Sequence, residues 1–509
     1  MLNEVESPRW AGLGMGLGLT GRAALPIFLV FDPGLTLNPR YCFTTSCSCP
    51  SITFGFIRWP SKSHERLLQL HEKYGSVVRV GPNELSYITP EAWEAIMGRH
   101  RGRLENPKAP WYCSPDTHDI IGAPPDDHAR MRRLLSQCFS SRALLQQQPL
   151  FKQHVDLLIE RLRDKAEGAE GSCVDIGAWY NYCLFDMMGD LSFGESFGCL
   201  LGSAMHPWIK LIFANIRMAA VGIALNRFTV IATILPWLVP PRLRRLADNL
   251  RRVSREMVAR RLELDNSRPD FIQAMISEKK GLSLTREEVE NNAMILAIAG
   301  FDTTATALGG ATYLIAQNPK VQARLTHEVR SSFAEEGLID MPGTAKLCYL
   351  NAVIEESLRM FPPGPNSQPR ITPPGGNVIL GKHVPGNTVI GIPQRSMFLS
   401  ETNFRRAREF IPDRWLGDVE FSSDRRDCFH PFSFGPRDCI GRTLAYAELR
   451  IILARMVWNF DFSIAESSRN WMQEQRSYMF WDKTSPLRMH LWIRSESSND
   501  ARGEMDVGL

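Results

Sequence analysis

The sequence predicts a mainly α-helical fold with small β-sheets, and two observations carry that expectation. The stretch from about Arg286 to Gln317 opens on a capping box, Thr285-Arg-Glu-Glu288, and its middle, 293–299, is almost wholly apolar. A helix of roughly thirty residues with such a middle must run through the core of a large domain. Short strand-like runs interrupt the helical pattern at 75–81, 84–89, 376–380 and 388–392. Composition agrees: 509 residues, 44% hydrophobic and 22% charged, are those of a globular protein with a substantial core.

Several function classes fall away at once. A net charge of +4 over this length is too small to argue for nucleic acid. The eleven cysteines are scattered and odd in number, which argues against a secreted disulfide framework and for a reducing compartment. Cys42, Cys47 and Cys49 cluster without histidine or CxxC spacing, so no zinc site is expected.

Residues 1–57 form an atypical N-terminal segment. Its apolar part, 10–31, is just long enough to span a bilayer, which makes it a candidate membrane anchor. Arg22 near its centre opposes insertion by about 2.5–3.5 kcal/mol, and five glycines and Pro26 weaken it as a helix. Gly16-Leu-Gly18-Leu-Thr-Gly21 has dinucleotide-binding spacing but lacks the strand before and the helix after, and is rejected. Residues 38–56 show no period. A domain over 58–495 follows, then a polar C-terminal tail, 496–509.

Regular structure starts near Ser61. Leu67, Leu68, Leu70 and Tyr74 have helical spacing over Ser63–Tyr74, and the strand pair at 75–89 turns at Gly-Pro-Asn. Pro90 opens a helix over 91–97. The long loop 103–125, rich in proline and aromatics (Trp111, Tyr112), is either a functional lid or a plain surface connection. A helix then opens at Asp127, placing His128 and Arg132 as i,i+4 neighbours. A buried helix over 175–191 precedes an apolar segment, 206–238, that switches abruptly to Pro-Pro-Arg-Leu-Arg-Arg245. Its simplest reading is a pair of core-facing helices; an apolar lobe rimmed by arginine equally suits a membrane surface. Further helices are expected over 319–333 and Cys348–Met360, the latter ended by Pro362-Pro363.

Within the long helix, Ala299-Gly300-Phe301-Asp302-Thr303-Thr304 breaks the rules of helix design. A buried glycine costs about 1 kcal/mol against alanine, and a buried carboxylate must be paired. Such a break fits a ligand needing room and protons. The second anomaly is Phe432-Ser-Phe-Gly435-Pro-Arg437-Asp-Cys439-Ile-Gly441, directly before a helix-forming run from Arg442. A thiolate there sits at a helix N-terminus, where negative charge is favoured; Gly435 and Gly441 allow close backbone approach to a flat ligand, and Arg437 supplies positive charge beside the sulfur. A lone cysteine is ordinarily a small buried hydrophobe, but a chance match to all five fixed positions is on the order of 10⁻⁴.

That pattern is the haem-binding signature of the cytochrome P-450 family, which the chain resembles from about 63 to 493. Its wording at 70–75, 127–130 and 186–194 is similar to fungal secondary-metabolism members. The resemblance implies a triangular-prism fold with haem b between the long central helix and the cysteine loop. It makes Cys439 the axial iron ligand, with Phe432, Gly435, Arg437 and Gly441 shaping the cofactor loop. His128, Arg132 and Arg370 are expected to hold the haem propionates, and Ala299 and Gly300 to leave room above the iron. Thr303 would line the oxygen pocket while Asp302 helps relay protons. Glu356, Arg359 and Arg414 would form a structural lock for the cysteine loop, with Asp413 and Trp415 departing from the usual wording beside Arg414. Trp111, Ile121, Ile295, Asn366 and Thr484 are expected at the substrate pocket, whose apolar balance suits a lipophilic molecule, and the resemblance makes the segment 206–238 the mobile, often membrane-touching roof over it.

The activity implied is insertion of one oxygen atom of O2 into a lipophilic small molecule, of the polyketide or terpenoid kind. Electrons would come from NADPH through NADPH-cytochrome P-450 reductase, docked on basic residues such as Arg130, Arg133, Arg425, Arg426 and Arg442. The implied location is the endoplasmic reticulum membrane, cytoplasmic face. The alternatives are a reductase-independent haem-thiolate isomerase or peroxide-processing enzyme, whose members tend to lose the Asp-Thr pair, and a non-catalytic haem-binding protein.

Overall fold

The computed structural model describes residues 62–99, 105–113, 118–167, 172–226, 233, 237, 239–264, 268–276 and 282–494. The readings of 1–57, of the tail 496–509 and of most of 228–237 fall outside the described residues.

The principal helices are α1 (Ser63–Tyr74), α2 (Pro125–Leu135), α3 (Ser141–Glu167), α4 (Ile176–Phe193), α5 (Pro207–Asn226), α6 (Pro241–Glu263), α7 (Arg286–Gln317), α8 (Pro319–Ser332), α9 (Cys348–Met360) and α10 (Arg442–Asn459). Eleven short strands among the described residues, β1 (Val77–Gly81), β2 (Glu84–Tyr87), β3 (Ser172–Asp175), β4 (Arg370–Ile371), β5 (Asn377–Ile379), β6 (Lys382–Val384), β7 (Val389–Gly391), β8 (Phe460–Ile464), β9 (Arg476–Ser477), β10 (Trp481–Asp482) and β11 (Arg488–Ile493), form four small sheets. The largest has the order β1-β2-β7-β4, and β2 and β7 run parallel with Glu84 opposite Val389. The runs at 376–380 and 388–392 do not share a sheet: β5 pairs with β6 in a separate hairpin, and β7 joins β2 and β4.

Helix α7 is the axis of the core. Thr285 caps it reciprocally with Glu288, which satisfies two of its first N–H groups. It packs along α4, where Phe185 meets Phe301 edge-on at 5.1 Å and Tyr180 and Thr312 share a hydrogen bond of 2.9 Å. Helix α4 is itself bounded by Asp175 at its N-cap and by Gly194 in the left-handed region at its C-cap.

Two expectations need adjusting. The helix expected over 91–97 ends in a wide i→i+5 turn, Trp93–Met97, held by Gly98 N–H on the Trp93 carbonyl. Helix α5 does not face the core along its length: only Trp208, Ile209 and Ile212 are buried. Its apolar residues run all round the helix, so Ala219, Ala220, Ile223 and Ala224 cover an internal cavity while Met218 and Val221 face outward. By length and composition α5 and α7 could each cross a membrane; α7 is mostly buried in the protein and α5 is not.

Candidate active site

A cavity of about 800 Å³ lies between α7 and the loop preceding α10. The loop is fixed by its backbone. Cys439 N–H donates to the Phe432 carbonyl (2.9 Å) and Asp438 N–H to that of Gly435 (3.1 Å). Gly435 has φ +80°, and a Cβ there would stand 2.1 Å from the Met97 carbonyl oxygen in the i→i+5 turn. Only glycine fits, for backbone conformation and for space. Gly441 caps α10, and Phe432 packs at 5.0 Å on Tyr446 one turn into that helix.

Cys439 opens onto the cavity from deep inside the protein. Burial, and more weakly Asp438, leave its thiol pKa raised, although the Gly441 N–H, Arg132 and Arg442 act against them. Arg437 does not fulfil the expectation of a charge beside the sulfur. It turns instead to Glu105 Oε1 (Nε, 2.9 Å) and to the Ala123 carbonyl (3.0 Å).

Ala299, Gly300 and Thr303 line the cavity on the α7 side. Thr303 Oγ1 donates to the Ala299 carbonyl at 2.6 Å. A Cβ at Gly300 would meet the Met188 side chain of α4 at 2.4 Å, so the glycine also admits that methionine. Asp302 is not on the cavity wall. It is buried behind it, accepting from Lys483 Nζ at 2.7 Å, and Lys483 also donates to Thr306 Oγ1 (3.0 Å). Two residues on, Thr304 Oγ1 donates to Glu448 Oε2 of α10 (3.0 Å). Glu448 Oε1 has no partner, and burial pushes its carboxyl up to about 8.

One edge of the cavity is basic, with Lys108, Arg132 and Arg437 on its wall and His128 among them. Arg132 donates to the Asp438 carbonyl (2.7 Å) and pairs with its carboxylate. Burial, with Arg437 and Arg132 nearby, lowers the His128 pKa to about 4, so its imidazole is neutral at pH 7. Arg370 reaches Glu105 Oε1 (3.1 Å) and the Asn106 carbonyl (3.2 Å), while its buried Nε has no partner. These residues fit haem b. A cysteine on one wall can ligate the iron, small residues and Thr303 leave space opposite, and an edge with Arg132 and Arg437 on the wall, and Arg370 close by on the shared Glu105, suits two carboxylates. Cys439, with its thiol on the cavity wall beside Gly441, is the residue that would ligate the iron.

Behind the cysteine loop lies a buried ion cluster. Glu356 receives Arg359 Nε and Nη2 (both 2.8 Å), Arg414 Nε (3.0 Å), Trp415 Nε1 (2.9 Å) and Ile411 N–H (2.9 Å). Arg359 also holds the carbonyls of Phe398, Ala407 and Glu409, and Arg414 reaches Asp424 at 2.5 Å. Burial pushes the Glu356 carboxyl up, but the two arginines outweigh it and hold it below its usual range. Both departures beside Arg414 have partners: Trp415 on Glu356, and Asp413 on Arg324 at 2.5 Å.

Of the expected pocket residues, Trp111, Ile121, Ile295 and Asn366 line the cavity. Asn366 is committed to structure, donating to the Tyr478 carbonyl (3.0 Å) and Ser477 Oγ (3.3 Å). Thr484 is a correction. It lies off the wall with its hydroxyl on the Glu474 carbonyl (3.3 Å), because the β9–β10 turn presents Tyr478, Met479 and Phe480 instead. Those three and Lys483 were not expected, whereas the segment 206–238 was expected as a roof, and its α5 residues Ala219, Ala220, Ile223 and Ala224 do line the cavity. The apolar run in α5 was the available signal for the roof; nothing in the sequence pairs Lys483 with Asp302. Of the basic residues expected to dock a partner, Arg130 binds Glu288, Arg425 binds Glu91 and Arg426 binds the Arg414 carbonyl, whereas Arg133 and Arg442 are exposed.

Comparison with known proteins agrees with this geometry. The family model for cytochrome P450 matches residues 51–491. Cytochrome P450 monooxygenase bet2 of Neocamarosporium betae is 46% identical over 85% of this chain and 84% of its own length. The trichothecene C-15 hydroxylase of Fusarium sporotrichioides is 40% identical over 94% of this chain and 97% of its own length. Averantin hydroxylase of Dothistroma septosporum is 42% identical over 84% of this chain and 80% of its own length. With a cysteine loop, a glycine–threonine wall and a cationic edge around one cavity, the chain belongs to the cytochrome P450 family and is a haem-dependent, O2-using monooxygenase similar to fungal secondary-metabolism members.

Proposed function

We propose that residues 58–495 insert one oxygen atom of O2 into a lipophilic secondary metabolite, of the polyketide or terpenoid kind, with electrons from NADPH through a cytochrome P-450 reductase. The observation that carries this reading is Cys439 and Thr303 on facing walls of one largely apolar cavity. Bound haem supplies the reductive activation of O2, which donation from a cysteine thiolate favours.

The chain's own residues do the rest. Cys439, as thiolate, would ligate the iron. Arg132, Arg370 and Arg437 would hold the cofactor's carboxylates, and neutral His128 would add a hydrogen bond. The Thr303 hydroxyl presents a proton at the oxygen side, and Asp302, behind it on α7, governs proton supply. Helix α5 closes the apolar side, keeps water out and accepts the substrate's hydrocarbon surface. The exposed Met218 and Val221 of α5, with Arg242, Arg244 and Arg245 at the start of α6, suit contact with the cytoplasmic face of the endoplasmic reticulum membrane, with residues 1–57 as anchor. Arg133 and Arg442 are the exposed cations that a reductase would meet.

A reduced CO-difference spectrum tests the cofactor site: the red-shifted thiolate band is expected, and its absence sinks haem-thiolate ligation. Turnover of a candidate metabolite with NADPH and reductase then separates oxygen insertion from isomerisation or peroxide processing, which proceed without them. Membrane fractionation of the full chain and of a form lacking residues 1–57 tests the anchor: equal sedimentation of the two would remove it.

A further inference from the structure

Two consecutive residues at the end of β10 hold two different helices. Asp482 Oδ1 accepts from Arg217 of α5, at 2.6 Å from Nη2 and 3.2 Å from Nε. Lys483 donates to Asp302 and Thr306 of α7. Its Nζ also lies 6.0 Å from the ring centre of Phe213, one turn before Arg217, and Phe213 meets Phe301, the neighbour of Asp302, edge-on at 6.0 Å. The residue before this pair is anchored: Trp481 donates to the Pro362 carbonyl (2.7 Å) and stacks on Phe361 at 4.4 Å. A fixed strand end thus sends one carboxylate to the roof helix and one ammonium to the central helix.

The two ends of this link differ in strength. The side chains of Lys483 and Asp302 are 16% and 6% exposed, so solvent and salt screen their attraction little. Arg217 is 56% exposed and its ion pair is the weak joint. It also lies beyond the buried first turns of α5, where the helix has least core contact. Asp302 meanwhile is held away from the cavity on which Gly300 and Thr303 stand.

We propose that Lys483 is a positioning residue that couples the seating of α5 to the orientation of Asp302, so that roof and relay acid respond as one unit. The proposal rests on the reading of Asp302 and Thr303 as the proton-handling pair. With α5 seated, Asp482 is pinned and Lys483 holds Asp302 behind the wall. When α5 lifts, Asp482 loses Arg217 and Lys483 loses the Phe213 ring beside it, so that on an unmoved strand end the ammonium can swing on its flexible stem and the Asp302 carboxylate is free to turn. Such coupling is reciprocal, so a change at Asp302 must loosen α5.

Hydrogen–deuterium exchange on the haem-loaded protein, without NADPH or reductase, reads the link independently of turnover. Asp302→Asn and Lys483→Met are each expected to speed exchange across 213–226 by at least about fivefold, and Lys483→Arg to restore it. With NADPH and reductase, Lys483→Met should release more peroxide per NADPH while keeping the thiolate band, and Arg217→Ala should do the same more weakly. Unchanged exchange over 213–226 in both Asp302→Asn and Lys483→Met overturns the proposal. If Lys483→Met does not fold, Asp302→Asn and Asp482→Asn decide it by the same exchange measurement. A wild-type protein lacking the thiolate band would remove the functional reading and leave the exchange result to judge the coupling alone.

Discussion

Glu356 and Asp302 are both buried carboxylates paired with cations, and they are built for opposite ends. Glu356 receives five hydrogen bonds from four residues, and the arginines that supply three of them bind several backbone carbonyls besides. Every component is satisfied, so the cluster has one arrangement. Asp302 is held by one ammonium on a flexible stem, itself next to a half-exposed ion pair. The contrast teaches that burial does not by itself make a charge structural. The number and rigidity of its donors separate a scaffold from a movable part.

The largest expected effect asks whether chemistry and scaffold are separable at all. Cys439→Ser should abolish the thiolate band and all turnover while circular dichroism keeps the helical fold; a surviving band would mean another ligand. Next, Glu356→Ala strands two buried guanidiniums and should cost about 3–5 kcal/mol in denaturant unfolding. Asp302→Asn keeps an acceptor for Lys483 and should cost about 1–2 kcal/mol. Equal losses would erase the distinction between the two carboxylates. Thr303→Ala should leave stability alone and uncouple the reaction, lowering product per NADPH roughly tenfold; unchanged yield would remove Thr303 from proton handling.

The smallest effect concerns a third buried carboxylate, Glu448, which has one donor and no countercharge. Its folded pKa of about 8 stands above the ordinary 4.5, so the folded state binds the extra proton between those values. Its contribution to stability is full below about pH 4.5 and declines as pH rises to about 8. Glu448→Gln should flatten that decline, seen as a smaller loss of melting temperature between pH 5 and 8. An unaltered slope would place the titration elsewhere.

What the sequence revealed follows the range of each signal. Helices α1, α7 and α9 have the bounds that periodicity, the Thr285–Glu288 box and Pro362 predict, because caps and periods are local. The cysteine loop was legible because its residue pattern is local, and Gly435 answers to backbone conformation. The Arg359–Glu356 pair sits within one helical turn and was legible too. The direction of Arg437, the exposure of α5 and the position of Thr484 were not, since each depends on a partner far along the chain. Lys483 is 181 residues from Asp302, and no propensity or period connects them.

The strand pairings carry a consequence for biogenesis. Glu84 lies beside Val389, and Asp175 beside Arg488, so β2 has only β1 beside it, and β3 has no strand beside it, until the last part of the chain exists. Trp93 likewise waits for the Cys428 carbonyl, and the Met97 carbonyl for Gly435. Such long closures are slow. The chamber's lining runs from Ser63 to Phe480, so its walls can close on one another only when nearly all of the chain has been made.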